Sequence, residues 1–330
     1  MRKLFLLFTI GAALSCSQQK DTAEQKGTTP KQKATTLLHN KQVLILGNSI
    51  TENGRYVDFL EYYLRKNYPN EQLNIISIGL GSETVNGLTE EGHPYIRPNI
   101  HDRVDRALDL IKPEIVLACY GMNDGLFSER TEEGFKAYKE GIIALRNKIE
   151  TAGAELILIT PTPFDPDAKK DKLSLHGEPQ GYATPFYDYN QVLGSFAQYL
   201  LFYLDEGLKV INLHGYMNPI LAEMKQINPD TTFIPDAVHP NELGHFYMAK
   251  KILLDLYPQI EFENDASELQ QVNSDPMWPL VKERRKIRSR GWLEYIGFTR
   301  GETVKSDDIN STKQTVTALD LDIQKLMLSN

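Results

Sequence analysis

Five short runs of apolar, largely β-branched residues, separated by segments of helical periodicity, constrain the fold of this chain most strongly. The runs occupy residues 43–46, 73–78, 115–118, 156–159 and 210–213, and most are apolar at every position. Strands that are apolar on both faces are typical of parallel sheets covered by helices on two sides. The intervening segments place apolar residues three and four positions apart, as amphipathic helices do. The alternation therefore predicts a three-layer α/β/α sandwich around a five-stranded parallel sheet.

The N-terminus carries the pattern of an export signal. Arg2 and Lys3 precede an apolar run at 4–14, which is too short to span a bilayer comfortably, and this predicts a signal peptide at 1–15. Cys16 follows the expected cleavage point, as in a lipidated bacterial lipoprotein; plain cleavage that leaves a free thiol is the alternative. Residues 16–38 are rich in Gln, Lys and Thr, which predicts a flexible tether. We therefore expect an exported protein anchored by lipid on Cys16 to a bacterial membrane, in the periplasm or at the outer membrane.

The charge and the cysteine count of the chain limit the partners and the covalent links that can be expected. The formal net charge of −8 argues against a nucleic-acid-binding protein, because neutralising phosphates requires a basic surface. Cys119 is the only other cysteine, so acylation of Cys16 would leave no pair for a disulfide within the chain. The predicted domain at 39–261 is long enough to be stabilised by its hydrophobic core.

The sequence after residue 262 is helical in periodicity and more charged. It predicts a helical extension at 262–330 that packs on the domain. Six basic residues at 282–290 are interpreted as a solvated helix face rather than a polyanion site, with Trp292 and Leu293 packing back onto the domain.

Polar residues follow the first three apolar runs. In open α/β sheets, ligands bind at the carboxyl ends of the strands. Ser49 comes directly after the first run and before a helix, where it is either an exposed nucleophile or an ordinary helix cap. Gly79 and Gly81 follow the second run, where a glycine lets a backbone N–H approach a reacting oxygen. Asn123 follows the third, where its amide could donate to an oxyanion or simply form a turn.

A histidine and an aspartate late in the chain complete a possible catalytic set. Asp236 precedes His239 by three residues and can accept a hydrogen bond from Nδ1, which leaves Nε2 as a general base. Pro240 is predicted at the first helical position, which would place His239 just outside the helix.

The order of these elements resembles the SGNH hydrolase family, also called GDSL-like lipases and esterases, over about residues 41–258. The resemblance rests on 47–49, which read Gly-Asn-Ser where the family usually has Gly-Asp-Ser, and on complete matches to Gly-x-Asn-Asp at 121–124 and Asp-x-x-His-Pro at 236–240. The glycine of the second family block carries over onto Gly79, with Gly81 as the second choice.

The resemblance implies a flavodoxin-like fold and a defined catalytic site. Ser49, Asp236 and His239 would form the triad. The backbone N–H groups of Ser49 and Gly79 and the side chain of Asn123 would form the oxyanion hole. No metal or organic cofactor is expected.

The expected reaction is ester hydrolysis through an acyl-enzyme. Family analogy and the predicted compartment favour removal of O-acyl groups, especially acetyl, from carbohydrate, and the expected partner is a small-molecule or polysaccharide ester. A lipase or thioesterase is the alternative among enzymes, and a non-catalytic glycan-binding lipoprotein is the alternative outside them. The aromatic, proline-rich loop at 163–186 is predicted to shape the pocket.

Overall fold

The computed structural model describes residues 38–298 and 309–329. The predicted signal peptide, Cys16 and nearly all of the predicted tether lie outside the described residues. Among the helices within these two ranges, none has both the length and the apolar character needed to cross a membrane.

A five-stranded parallel sheet forms the middle layer, as predicted. Its strands are β1 (Gln42–Gly47), β2 (Asn74–Ser77), β3 (Ile115–Cys119), β4 (Glu155–Ile159) and β5 (Lys209–Ile211), in the order β2-β1-β3-β4-β5. All four neighbouring pairs are parallel. β2 pairs with one edge of β1, and β3 pairs with the other edge. The connections therefore leave β1 in opposite directions, which makes its carboxyl end a topological switch point. Such points are where open α/β sheets bind ligands.

Helices cover both faces of the sheet. The helices are α1 (Ser49–Asn53), α2 (Arg55–Asn67), α3 (Val104–Ile111), α4 (Glu132–Thr151), α5 (Tyr189–Leu201), α6 (Leu213–Ile227), α7 (Glu242–Leu256), α8 (Asp265–Ser274), α9 (Met277–Ile296) and α10 (Ile309–Ser329). Alternate strand residues face opposite cores: Val43 and Ile45 pack with α2, α6 and α7, whereas Leu44 and Leu46 pack with α3, α4 and α5. This alternation explains why the strands read as continuous apolar runs.

Helix α9 corrects one expectation about the basic segment. Arg284 and Arg285 are only 1% and 7% exposed, and they form ion pairs with Glu61 (2.8 Å) and Asp58 (2.6 Å) of α2. They are not part of a solvated face, because α9 lies against α2 and buries acidic and basic residues together. Trp292, as expected, is buried against the domain.

Candidate active site

The Ser49 side chain lies at the switch point, immediately after β1. Asn48 caps α1, because its Oδ1 accepts a hydrogen bond from the backbone N–H of Ile50 (3.1 Å). Ser49 is therefore the first residue of the helix rather than its cap. Its hydroxyl is consequently left for a partner elsewhere in the fold.

That partner is His239, which lies 190 residues further along the chain. Ser49 Oγ is 2.8 Å from His239 Nε2, and His239 Nδ1 is 2.7 Å from Asp236 Oδ2. Since Nδ1–H donates a hydrogen bond to the carboxylate, Nε2 presents its lone pair to the serine hydroxyl. The side chains of His239 and Asp236 are 41% and 53% exposed, so the site opens directly to solvent.

The backbone around Asp236 holds its carboxylate in the charged form. Asp236 Oδ1 accepts hydrogen bonds from the N–H groups of Val238 (3.0 Å) and His239 (2.6 Å). Partial burial alone would raise the pKa of Asp236, but the hydrogen bonds from the ring and backbone of His239 outweigh it, and the pKa lies well below its ordinary value. Asp236 therefore remains an anion that can orient and stabilise an imidazolium.

The loop that carries the pair is a tight turn in front of α7. Ala237 adopts a left-handed conformation (φ 74°), and its carbonyl accepts a hydrogen bond from the N–H of Asp165 (3.1 Å). Asn241, rather than Pro240, marks the start of the helix, because its side chain accepts the N–H of Gly244 (3.1 Å). The prediction of Pro240 at the first helical position was wrong, since Asn241 occupies the cap and moves the first turn to Glu242.

Asn123 follows β3, next to β1, and its side chain is buried. Its Nδ2 donates to the backbone carbonyl of Glu83 (3.0 Å), which uses one amide hydrogen and leaves the second available. The structure thus holds the amide in place beside the loop that follows β2. A donor held in this way costs little reorganisation when an oxyanion forms.

Asp124 ties these two loops together, a role that the motif alone did not reveal. Its carboxylate accepts the N–H groups of Gly121 (2.8 Å), Val85 (2.7 Å) and Asn86 (3.1 Å). Burial raises the pKa of Asp124 to about 6, although the three backbone donors act in the opposite direction. The signals in the sequence were its place in the Gly-x-Asn-Asp match and its position beside Asn123.

Gly79 lies where the loop after β2 crosses α1. A methyl group at this position would overlap the backbone of Thr51 and Glu52, so the close approach requires glycine. The proposed role of its N–H as an oxyanion donor stays a prediction. The N–H of Gly81 is already used, because it donates to the carboxylate of Glu52 (2.9 Å).

Ser82 is a second candidate for this donor, and sequence reasoning missed it by looking for glycine. Ser82 is left-handed (φ 63°), and its N–H has no hydrogen-bond partner within residues 38–298 and 309–329. It precedes Glu83, whose carbonyl holds Asn123. The free N–H therefore belongs to the segment that positions the Asn123 amide.

Among the described residues, no group of three or more His, Cys, Asp or Glu side chains is arranged to hold a metal ion. A hydroxyl, an imidazole, a carboxylate and neutral N–H donors are the components of nucleophilic acyl transfer.

Solved structures with the same fold include several ester hydrolases. An acetyl-xylooligosaccharide esterase from Geobacillus stearothermophilus, seen as a variant, has 16% identity and a TM-score of 0.50, covering 68% of this chain and 97% of its own. A gut microbial diltiazem-metabolizing enzyme has 21% identity and a TM-score of 0.49 over 66% of this chain, which spans only 46% of that enzyme's length. A putative acylhydrolase from Bacteroides fragilis has 18% identity and a TM-score of 0.43, covering 66% of this chain and 88% of its own.

At these identities the likeness shows the fold alone. No curated protein matches the chain in sequence. The model of the GDSL-like Lipase/Acylhydrolase family matches residues 45–246, which include the end of β1, the whole of β2 to β5, and Ser49, Asp236 and His239. The chain therefore belongs to the GDSL-like Lipase/Acylhydrolase family of serine ester hydrolases.

Proposed function

We propose that this protein removes acyl groups, most readily acetyl, from O-acylated carbohydrates through an acyl-enzyme on Ser49. One observation carries the proposal: a continuous hydrogen-bonded chain runs from Ser49 through His239 to Asp236, with links of 2.8 and 2.7 Å. This is the arrangement that activates a serine hydroxyl towards an ester carbonyl.

The mechanism follows from the direction of these hydrogen bonds. His239 Nε2 takes the Ser49 proton as Oγ bonds to the carbonyl carbon, and Asp236 stabilises the imidazolium that results. The N–H of Ser49, the amide of Asn123 and the N–H of Gly79 or Ser82 donate to the oxyanion. His239 then protonates the departing alcohol, and a water molecule repeats the sequence on the acyl-enzyme.

The openness of the site supports a short acyl group on a bulky alcohol. Both His239 and Asp236 are about half exposed, so a large hydrophilic substrate can reach the serine without entering a channel. A long acyl chain would instead require an enclosed apolar pocket to repay its desolvation. The Geobacillus fold relative is named for an acetylated oligosaccharide, which makes that compound a sensible first substrate to test.

The first experiment uses a fluorophosphonate probe, followed by a hydrolysis panel of acetyl, butyryl and octanoyl aryl esters and acetylated xylan. We expect Ser49→Ala and His239→Ala to lose labelling and hydrolysis. His176→Ala is the matched control, because His176 also pairs with a carboxylate, Glu129 (2.9 Å), but is not bonded to a serine. Labelling of Ser49→Ala at the wild-type level would refute the mechanism, and a preference for octanoyl esters would favour a lipase. Absence of both labelling and hydrolysis in the wild type would favour a glycan-binding protein.

We propose, in addition, that the protein is exported and anchored by lipid on Cys16. The support lies in the sequence alone, in the basic residues, short apolar run and cysteine at its start. Metabolic labelling with an alkyne fatty acid should mark the wild type and not Cys16→Ala. Equal labelling of both proteins would contradict the anchor.

A further inference from the structure

Three exposed or half-buried rings contact one another edge to face and take no part in the Ser49–His239–Asp236 hydrogen bonds. We call His93, Tyr95 and Tyr182 the aromatic strip. The rings of His93 and Tyr95 lie 4.7 Å apart, and those of His93 and Tyr182 lie 5.9 Å apart. Tyr182 is 47% exposed, whereas His93 and Tyr95 are half-buried. Large exposed rings in a group present a contact surface for a partner.

The strip begins at the oxyanion side of the site. The hydroxyl of Tyr95 is 2.9 Å from Ser82 Oγ, and Ser82 precedes Glu83, whose carbonyl holds the amide of Asn123. Two hydrogen bonds and two residues, Ser82 and Glu83, therefore connect the first ring of the strip to Asn123, a predicted oxyanion donor. A group bound on the strip would be part of the same substrate whose ester lies at Ser49.

A buried ion pair holds the strip rigid. Arg97 donates to both carboxylate oxygens of Glu90 (2.7 and 2.6 Å), and its Nη1 also donates to the carbonyl of Ser82 (3.3 Å). The same guanidinium lies over the Phe127 ring (5.6 Å), and that ring contacts Tyr182 (5.7 Å). Both ends of the strip are thus attached to one buried arginine, which lowers the entropy lost when a ligand binds.

The conformation of Ser82 supports a role for its side chain. A left-handed backbone costs a residue with a Cβ atom roughly 1–2 kcal/mol, which glycine avoids. Glycine could not hold Tyr95, however, because it has no hydroxyl. The strained serine therefore links the oxyanion segment to the first ring of the strip.

We propose that the aromatic strip is the subsite for a pyranose ring in the alcohol part of the ester. Lys169 Nζ lies over the Tyr182 ring, 5.3 Å from its centroid. The opposite face of that ring would pack against the C–H face of a sugar, while the phenol and imidazole edges can hydrogen-bond to its hydroxyls. An acyl chain offers nothing for these polar edges to bond. The inference rests on the proposed esterase function and identifies the residues that would select its substrate.

The test compares an acetylated xylo-oligosaccharide with ethyl acetate, which carries the same acyl group without a sugar. In Tyr182→Ala, the ratio of kcat/KM for the oligosaccharide to that for ethyl acetate should fall about tenfold, the effect expected for losing one stacked ring. Tyr95→Phe should lower the ratio less, because it keeps the ring and loses only the bond to Ser82. Phe202→Ala is the matched control: Phe202 is 65% exposed but lies just before β5, at the opposite end of its strand from the site, and the ratio should stay at the wild-type value.

The possible failures are distinguishable. An unchanged ratio in Tyr182→Ala, or a wild type that does not prefer the oligosaccharide, would overturn the subsite. Hydrolysis of ethyl acetate by Ser49→Ala at the wild-type rate would overturn the esterase site itself.

Discussion

Replacement of Asp236 by asparagine tests the proposed role of this carboxylate, because it changes a single side-chain oxygen to an NH2 group. Asp236 Oδ1 accepts two backbone N–H groups, and Oδ2 accepts the His239 ring. An asparagine must keep its carbonyl oxygen on the two backbone donors, because the reverse orientation would lose two hydrogen bonds worth about 1 kcal/mol each. Its NH2 group then faces Nδ1 of His239.

This orientation reverses the tautomer of the catalytic base. Nδ1 must accept a hydrogen bond from the asparagine amide, so the ring proton moves to Nε2 and no lone pair faces Ser49. Loss of the correct tautomer costs a serine triad about 10⁴ in kcat, which corresponds to roughly 5.5 kcal/mol in the activation barrier. We expect a decrease of about 10³–10⁴ with little change in KM, since the substrate contacts remain.

The assay is steady-state hydrolysis of an aryl acetate, with Ser49→Ala as the background rate and circular dichroism as the check on folding. Asp230→Asn, at an exposed aspartate a few residues upstream, is the matched control and should behave as the wild type. A folded Asp236→Asn variant that keeps more than about a tenth of the wild-type kcat would refute the tautomer argument.

Three further results are expected. Asn123→Ala should lower kcat about 10²–10³-fold with a smaller effect on KM, because one oxyanion donor is lost; equal changes in both would indicate a binding role. Gly79→Ala should lower both kcat and the melting temperature, because the new methyl group would displace the helix at Glu52; activity at the wild-type level would show that this contact relaxes freely. Burial, with lesser effects from nearby arginines, lowers the pKa of His245 from 6.5 to about 3. As the pH falls, His245 therefore becomes protonated in the unfolded chain before it does in the folded one. Its contribution to the free energy of unfolding is fully present above pH 6.5 and decreases as the pH falls towards 3. Urea unfolding should show the wild type losing about 2 kcal/mol more than His245→Phe between pH 7 and pH 5, and equal losses would exclude a buried neutral imidazole.

The sequence determined the sheet and the chemistry of its edge, because both are encoded locally. A buried parallel strand must be apolar on both faces, so the strands could be predicted from apolar runs in the sequence. The residues that follow them, Ser49 and Asn123, could be placed at one edge by the parallel order alone. Asp236 and His239 are three residues apart, so their pairing could also be predicted from the local sequence.

Contacts between distant segments were decided only by the tertiary structure. The sequence predicted that Arg285 is a solvated charge. In the structure α9 packs against α2 and Arg285 pairs with Asp58, 227 residues away. The left-handed turn at Ser82 and its bond to Tyr95 were equally hidden, because no periodicity marks a loop. Local periodicity indicates which residues are buried. The partner of a buried charge or of a loop hydroxyl depends instead on which elements pack together in the folded chain. The sequence therefore predicted the serine and the Asp236–His239 pair, and the folded chain brought Ser49 Oγ within 2.8 Å of His239 Nε2 and formed the surface proposed to select the ester.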